Sequence, residues 1–243
     1  MAQSQFSSPA RFHSSPLVRL LTSLDIGPVA ESTQSFAEKL SHWVAWTDAI
    51  ALSRVLAAAA PTQAPSSRPT PAGGVRHVIE QVGRVRRELT ESIVHDALLR
   101  QQEGDAAAAG HVDGRRQYRA HQHTMEDRIG RLRCDVRSAL SGTSPRLGQL
   151  AALDAVLDVA LAAHQRRLLE KVPLLLEKCL QALHATSQAA PDQEAALKNP
   201  DPNAMPSAPA ATWRHCLLAE LELRLQPVQG MVDTLGRDAC QTP

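Results

Sequence analysis

Hydrophobic positions along this chain fall into helical stripes. The longest occupies residues 144–187, where Leu147, Leu150, Leu153, Leu157, Leu161, His164, Leu168, Val172, Leu175, Cys179 and Leu183 recur at intervals of three and four, the period of one helix face. Ser144 followed by Pro145 supplies an N-cap and a first-turn proline. At ~1.5 Å per residue, a helix over 145–186 reaches on the order of 60 Å. Such a rod does not bury its stripe alone, so other helices must lie against it. Pro173 removes one backbone hydrogen bond and crowds the carbonyl of Leu169. Burial of Leu174, Leu175, Leu176, Leu180 and Leu183 offsets that, which predicts a kink in a continued helix.

Shorter stripes flank it. Val75, Val78, Val82, Val85, Leu89, Ile93, Ala97 and Leu98 predict a helix over 75–102, and Tyr118, Gln122, Met125, Ile129, Leu132, Val136 and Ala139 another over 115–140. Trp213, Leu217, Leu221, Leu225, Val228, Met231 and Leu235 predict a last helix over about 212–235, kinked at Pro227. Upstream, Ser15-Pro16 opens a short helix carrying Leu17, Leu20, Leu21 and Leu24, stopped by Gly27-Pro28. Ser35-Phe36-Ala37-Glu38 reads as a capping box for Phe36, Leu40, Trp43, Val44, Thr47, Ile50 and Val55. Glycines at 104, 110 and 114 mark 104–114 as a loop. Gly142, read as a left-handed C′ residue, with Ser144 and Pro145 makes a tight stop and start, so the helices on either side are antiparallel neighbours. Residues 1–14, 61–74 and 187–211, rich in Ser, Pro, Gln and Ala, have no means of building a core and are read as disordered.

The fold class is therefore all-α: an elongated antiparallel bundle with long, proline-kinked helices. A three-helix core spans 75–186, an N-terminal helical pair spans 15–60, and a C-terminal helix, 212–236, docks on the bundle. Composition agrees. Hydrophobic residues make up 43% and aromatics 3%, so the core is Leu, Ala and Val, and runs with the period of a strand are missing. The net charge of +1 gives no overall field toward nucleic acid or membrane. Cysteines at 134, 179, 216 and 240 have no CxxC spacing and no secretory leader beside them, and are read as reduced thiols of a cytoplasmic protein. No run approaches ~18 uninterrupted apolar residues, so no membrane span is expected.

Candidate chemistry is sparse. His121 and His123, with His111 and Cys134 nearby, suggest a metal, but a helical zinc pair needs an i, i+4 spacing, and i, i+2 points the rings about 200° apart. Exposed histidines are the better reading, and His164 reads as a boundary histidine. Arg84, Arg86 and Arg87, with Arg115, Arg116, Arg119, Arg128, Arg131, Arg133 and Arg137, are candidates for phosphate. They spread around their helices without interleaved aromatics, so pairing with acids on neighbouring helices is preferred. Asp154 and Asp158 share a face and are suited to a cation or an arginine. Phosphate-cradling glycine loops, a nucleophile elbow and a HExxH zinc motif are all missing. No catalytic residue, metal ligand or cofactor is assigned. The candidate partner contacts are Trp43, Trp46, Asp48 and Trp213; Trp43, beside Leu40 on its stripe, is at the same time expected to be buried.

Three stretches, WTDAIALS (46–53), LAALDAVLDVAL with RRLLEKVPLLLEK (150–178) and LLAELELRLQPVQGM (217–231), carry a resemblance. The chain resembles an uncharacterised family of proteobacterial proteins, a domain of unknown function, over nearly its whole length apart from the Pro-rich linkers. The resemblance brings no catalytic residues. It implies company with a helical membrane protein similar to proton-channel stators and with a peptidoglycan-binding partner similar to outer-membrane protein A. The expected function is a non-enzymatic helical scaffold or adaptor working through protein contacts, with self-association open; a nucleic-acid binder using the arginine faces is the alternative.

Overall fold

The computed structural model describes residues 15–24, 36–58, 72–96, 107–189 and 209–241. Among these the chain is all-α, without a strand, and its helices pack on one another as a bundle. They are α1 (Pro16–Ser23), α2 (Phe36–Trp43), α3 (Trp46–Ala57), α4 (Ala72–Val94), α5 (Ala107–Thr143), α6 (Pro145–Leu169), α7 (Val172–Ala189) and α8 (Pro209–Gln241). The reading of 1–14 as disordered, and most of the two linkers, lie outside the described residues. The linkers are shorter than their composition suggested, since 72–74, 187–189 and 209–211 are helical.

The α5–α6 turn follows from its sequence. Ser144 caps α6 by accepting a hydrogen bond from the Leu147 amide at 3.4 Å, with Pro145 in the first turn. α5 runs through Gly142 to Thr143, so that glycine sits within the last turn and not beyond it. From the turn the two arms recede in step: Arg137 meets Asp154, Arg133 meets Asp158, Glu126 meets Arg166, Gln122 meets Leu169 and Arg115 meets Glu177. This register is antiparallel and carries on into α7.

Pro173 does more than kink the helix. α6 ends at Leu169 and α7 begins at Val172, with Glu170 and Lys171 as a turn between them. Proline cannot donate to the Leu169 carbonyl, and Gln122 Nε2 takes that acceptor instead at 2.9 Å. Pro227 lies on the exposed side of α8, and that helix continues through it. The glycine-marked loop at 104–114 is also helical from 107 onward, consistent with its alanine run outweighing Gly110 and Gly114. The preceding helix ends at Val94, and residues 97–102 of its expected span lie outside the described residues.

Among the described residues the expected N-terminal pair forms three helices. α1 lies on α8, whereas α2 and α3 lie on α6 and are broken apart at Val44-Ala45. Nothing in the local sequence forces the break by proline or glycine; Asp48 in the first turn of α3 favours a new N-terminus there. The core is formed mainly by α4, α5 and α8. Its fully buried members include Leu89 and Ile93, Tyr118, Met125, Leu132 and Leu140, and Trp213, Leu217 and Leu221. α8 packs against α1, α4, α5 and α6, so it is a central element of the bundle and not an addition to a three-helix core.

Candidate functional site

The helical register of α8 places Glu220 one position before Leu221, on the edge of its apolar stripe, where packing against α5 buries it completely. A carboxylate taken out of water needs donors on both oxygens. Tyr118 Oη donates to Oε2 at 2.8 Å, Gln122 Nε2 reaches both oxygens at 3.0–3.1 Å, and Arg224 Nε reaches Oε1 at 2.8 Å. Arg224 is one helical turn further along α8, at an i, i+4 spacing that brings its guanidinium back to Glu220. Gln122 also holds the Leu169 carbonyl, so one side chain joins the buried acid to the α6–α7 break. Burial, then the adjacent Glu220 charge, pushes the Tyr118 phenol well above its ordinary value and raises the Cys216 thiol in the same way. Trp213 is fully buried with its ring 5.7 Å from that of Tyr118. A surface contact through Trp213, expected from the sequence, is therefore corrected: the ring is a core member. Glu220, Tyr118, Gln122 and Arg224 satisfy one another and imply no proton transfer, whereas the buried Trp213 Nε1 has no hydrogen-bond partner among the described residues.

The second region is the α2–α3 flank. Trp43 is half-buried and stacks on His164 of α6, with ring centroids 4.3 Å apart. Expected as a core residue, it is a boundary one, and His164 is its partner. Gln149 of α6 donates to the carbonyls of Val55 and Ala58, at 3.0 and 3.2 Å, satisfying acceptors that the end of α3 leaves open. Asp48, Ala51, Leu52 and Val55 are partly covered, and no residue of α3 is buried. On the outward side, Trp46 is 80% exposed, with Ile50 and Leu56 also exposed. A continuous helix would have kept Trp43 and Trp46 on one face; the break at Ala45 separates them.

Five of the ten candidate arginines, Arg86, Arg115, Arg128, Arg133 and Arg137, are spent in ion pairs within the fold. Arg86 grips Glu222 of α8, Arg128 pairs with Glu88 of α4, and Arg133 and Arg137 fill the face of Asp154 and Asp158. His121 holds Asp96 at 2.7 Å, and Gln117 donates to the same carboxylate oxygen. Among the described residues no three His, Cys, Asp or Glu side chains gather as metal ligands, and Cys134, Cys179 and Cys216 are in no disulfide. Among the described residues one stretch, Pro145–Leu183, is by length and composition apolar enough to cross a membrane, which a search for uninterrupted apolar runs does not find. It contains the arginine-bound Asp154 and Asp158 and the interruption before Pro173.

Sequence reasoning missed the Glu220 cluster. Its one visible signal was Gln122 at a heptad position otherwise apolar, since a polar residue on a core seam implies a partner across it.

Fold and site together define an all-helical bundle with a hydrogen-bonded carboxylate in its interior and an apolar flank left open. The chain belongs to the family described as "Protein of unknown function (DUF3348)", whose family model matches residues 1–237. Neither a curated protein nor a solved structure matches it.

Proposed function

We propose that this protein is a non-enzymatic helical scaffold or adaptor, with the outward face of α3 as its contact surface. The observation that carries the reading is Trp46, 80% exposed and flanked on the same helix by exposed Ile50 and Leu56. Covering a tryptophan removes ~150–250 Å² from water. At ~25 cal/mol/Å² this is roughly 4–6 kcal/mol before the costs of association. Exposed tryptophans are enriched among the residues that dominate binding energy. The face between Trp46 and Leu56 carries Ala49, Ile50 and Ser53, with Arg54 at its edge, and so suits an apolar helix better than an acidic or basic one. A helical membrane protein of a cell-envelope assembly, the company that the family resemblance implies, offers that kind of helix, with this protein on the cytoplasmic side.

A photo-crosslinking residue placed at position 46 in the native host tests this. The expected result is one discrete heterologous adduct from position 46 and none from position 131, an exposed site on α5. Equal labelling from both positions, or no adduct at 46, would overturn it.

A further inference from the structure

Where α5, α6 and α8 meet, two chambers adjoin, of about 220 and 280 Å³. They share Glu126, Arg166 and Arg224 as a common wall. Together they fall within the usual size of small-molecule sites, about 300–1,000 Å³. The larger is polar: Arg119, Arg166 and Arg224 with His123 face Glu126 and Glu170. The smaller adds an apolar side made by Met125, Ile129 and Ala162, beside Arg133 and Asp158, which bind each other.

We propose that this cavity binds a small phosphate monoester, its phosphoryl group held by Arg119, Arg166 and Arg224 and its compact apolar part lying against Met125, Ile129 and Ala162. The three arginines are differently prepared for this. Arg224 is fixed from behind: its Nε and Nη2 are committed to the buried Glu220, which leaves Nη1 for a ligand. The Glu220 carboxylate orients the guanidinium before any ligand arrives. Arg119 has no hydrogen bond or ion pair to any described residue. Arg166 is bound to Glu126 across the common wall, in a pair exposed on both sides. An exposed pair of this kind is weakly held, so exchanging the carboxylate for a phosphoryl oxygen is a small change. Glu126, Glu170 and the buried Glu220 match the three guanidiniums in number, so the phosphoryl group binds by displacing Glu126 from Arg166. Arginine presents paired donors that match phosphoryl oxygens.

Gly130 lines the smaller chamber from mid-helix, and a Cβ added there would meet nothing within 4 Å. Packing therefore does not require this glycine, although it weakens the helix relative to alanine. Its missing side chain leaves the chamber open. This inference stands independently of the contact surface on α3.

Titration calorimetry on the full chain tests it with three probes: phenyl phosphate, inorganic phosphate and phenol. Phenyl phosphate should bind one per chain and at least ~10-fold more tightly than inorganic phosphate, and phenol should give no heat. R119Q and R166Q should each weaken phenyl phosphate ~10-fold while the helical circular dichroism is kept. R116Q, on the exposed side of α5, should leave binding unchanged. G130L should block phenyl phosphate more than inorganic phosphate, because it fills the apolar chamber. Absence of phenyl phosphate binding at millimolar concentration, or binding indifferent to both R119Q and R166Q, would overturn the proposal.

Discussion

Trp213 and Trp46 each stand near the beginning of a helix, and their surroundings could hardly differ more: Trp213 is completely buried, Trp46 is 80% exposed. The helices around them account for it. α8 is enclosed by α1, α4, α5 and α6, and buries its stripe from Trp213 through Leu217, Leu221 and Leu225 to Leu235. α3 touches chiefly α6 and buries no residue. An amphipathic helix with one neighbour covers only the side it lies on. The α5–α8 region therefore holds the structure together, and the α2–α3 flank contributes surface. The same division appears in their polar groups. Glu220 is fully enclosed by Tyr118, Gln122 and Arg224, whereas Gln149 holds the end of α3 from outside.

The largest test of this contrast is deletion. Removing 209–243 takes away the element that α1, α4 and α5 share, and should abolish the cooperative thermal transition. Removing 1–58 should leave one in place, at a lower temperature. A cooperative transition that survives the first deletion would break the comparison. Next in size is Arg224→Met, which leaves Glu220 buried without its cation. A loss of ~3–5 kcal/mol is expected, about 10 °C in melting temperature for a chain of this length.

A smaller effect comes from pH. Tyr118 and Cys216 hold their protons more tightly when folded, because burial and the nearby Glu220 charge disfavour their anions. Their contribution is complete below the ordinary values of 10.0 and 9.0 and is lost as pH rises above them. Denaturant titrations should find the two groups costing on the order of 2 kcal/mol by pH 10. Stability that is flat from pH 8 to pH 10 would contradict their enclosure.

On the flank, Trp43→Ala should cost ~1–2 kcal/mol, between a core truncation and a surface one, because half of the ring and its stacking on His164 are lost. Trp46→Ala should be smallest, within ~0.5 kcal/mol. Reversal of that order would move Trp46 into the fold and remove the basis for a contact surface.

The stripes of α4, α5 and α8 were legible because each helix buries one side, and one-sided burial writes the helical period into the sequence. Val75, Val78, Val82, Leu89 and Ile93 are buried at the positions their spacing marks, as are Tyr118, Gln122, Met125, Ile129, Leu132 and Val136. The 145–183 stripe was a poorer guide. α6 is covered by α5 on one side and by α2 and α3 on another, so its apolar arc is wider than one buried face. Leu147, Ala151, Leu169, Val172, Leu176 and Leu180 are the enclosed residues, while Leu168, Leu174, Leu175 and Leu183 remain exposed. The break at Ala45 had no proline or glycine to announce it. The Glu220 cluster joins side chains that lie 98 and 102 residues apart, and no local pattern records such a meeting. The pairing of Asp154 and Asp158 with arginines followed from local spacing, since two acids one turn apart make a single face for a cation.

Amide hydrogen exchange under native conditions compares the two regions directly. The account predicts that α5 and α8 exchange last, only through global unfolding, with protection strongest around Tyr118–Leu132 and Leu217–Val228, and that α3 from Trp46 to Ala57 exchanges orders of magnitude sooner through local opening. Protection of α3 equal to that of α8 in the isolated protein, or early exchange of α8, would contradict it.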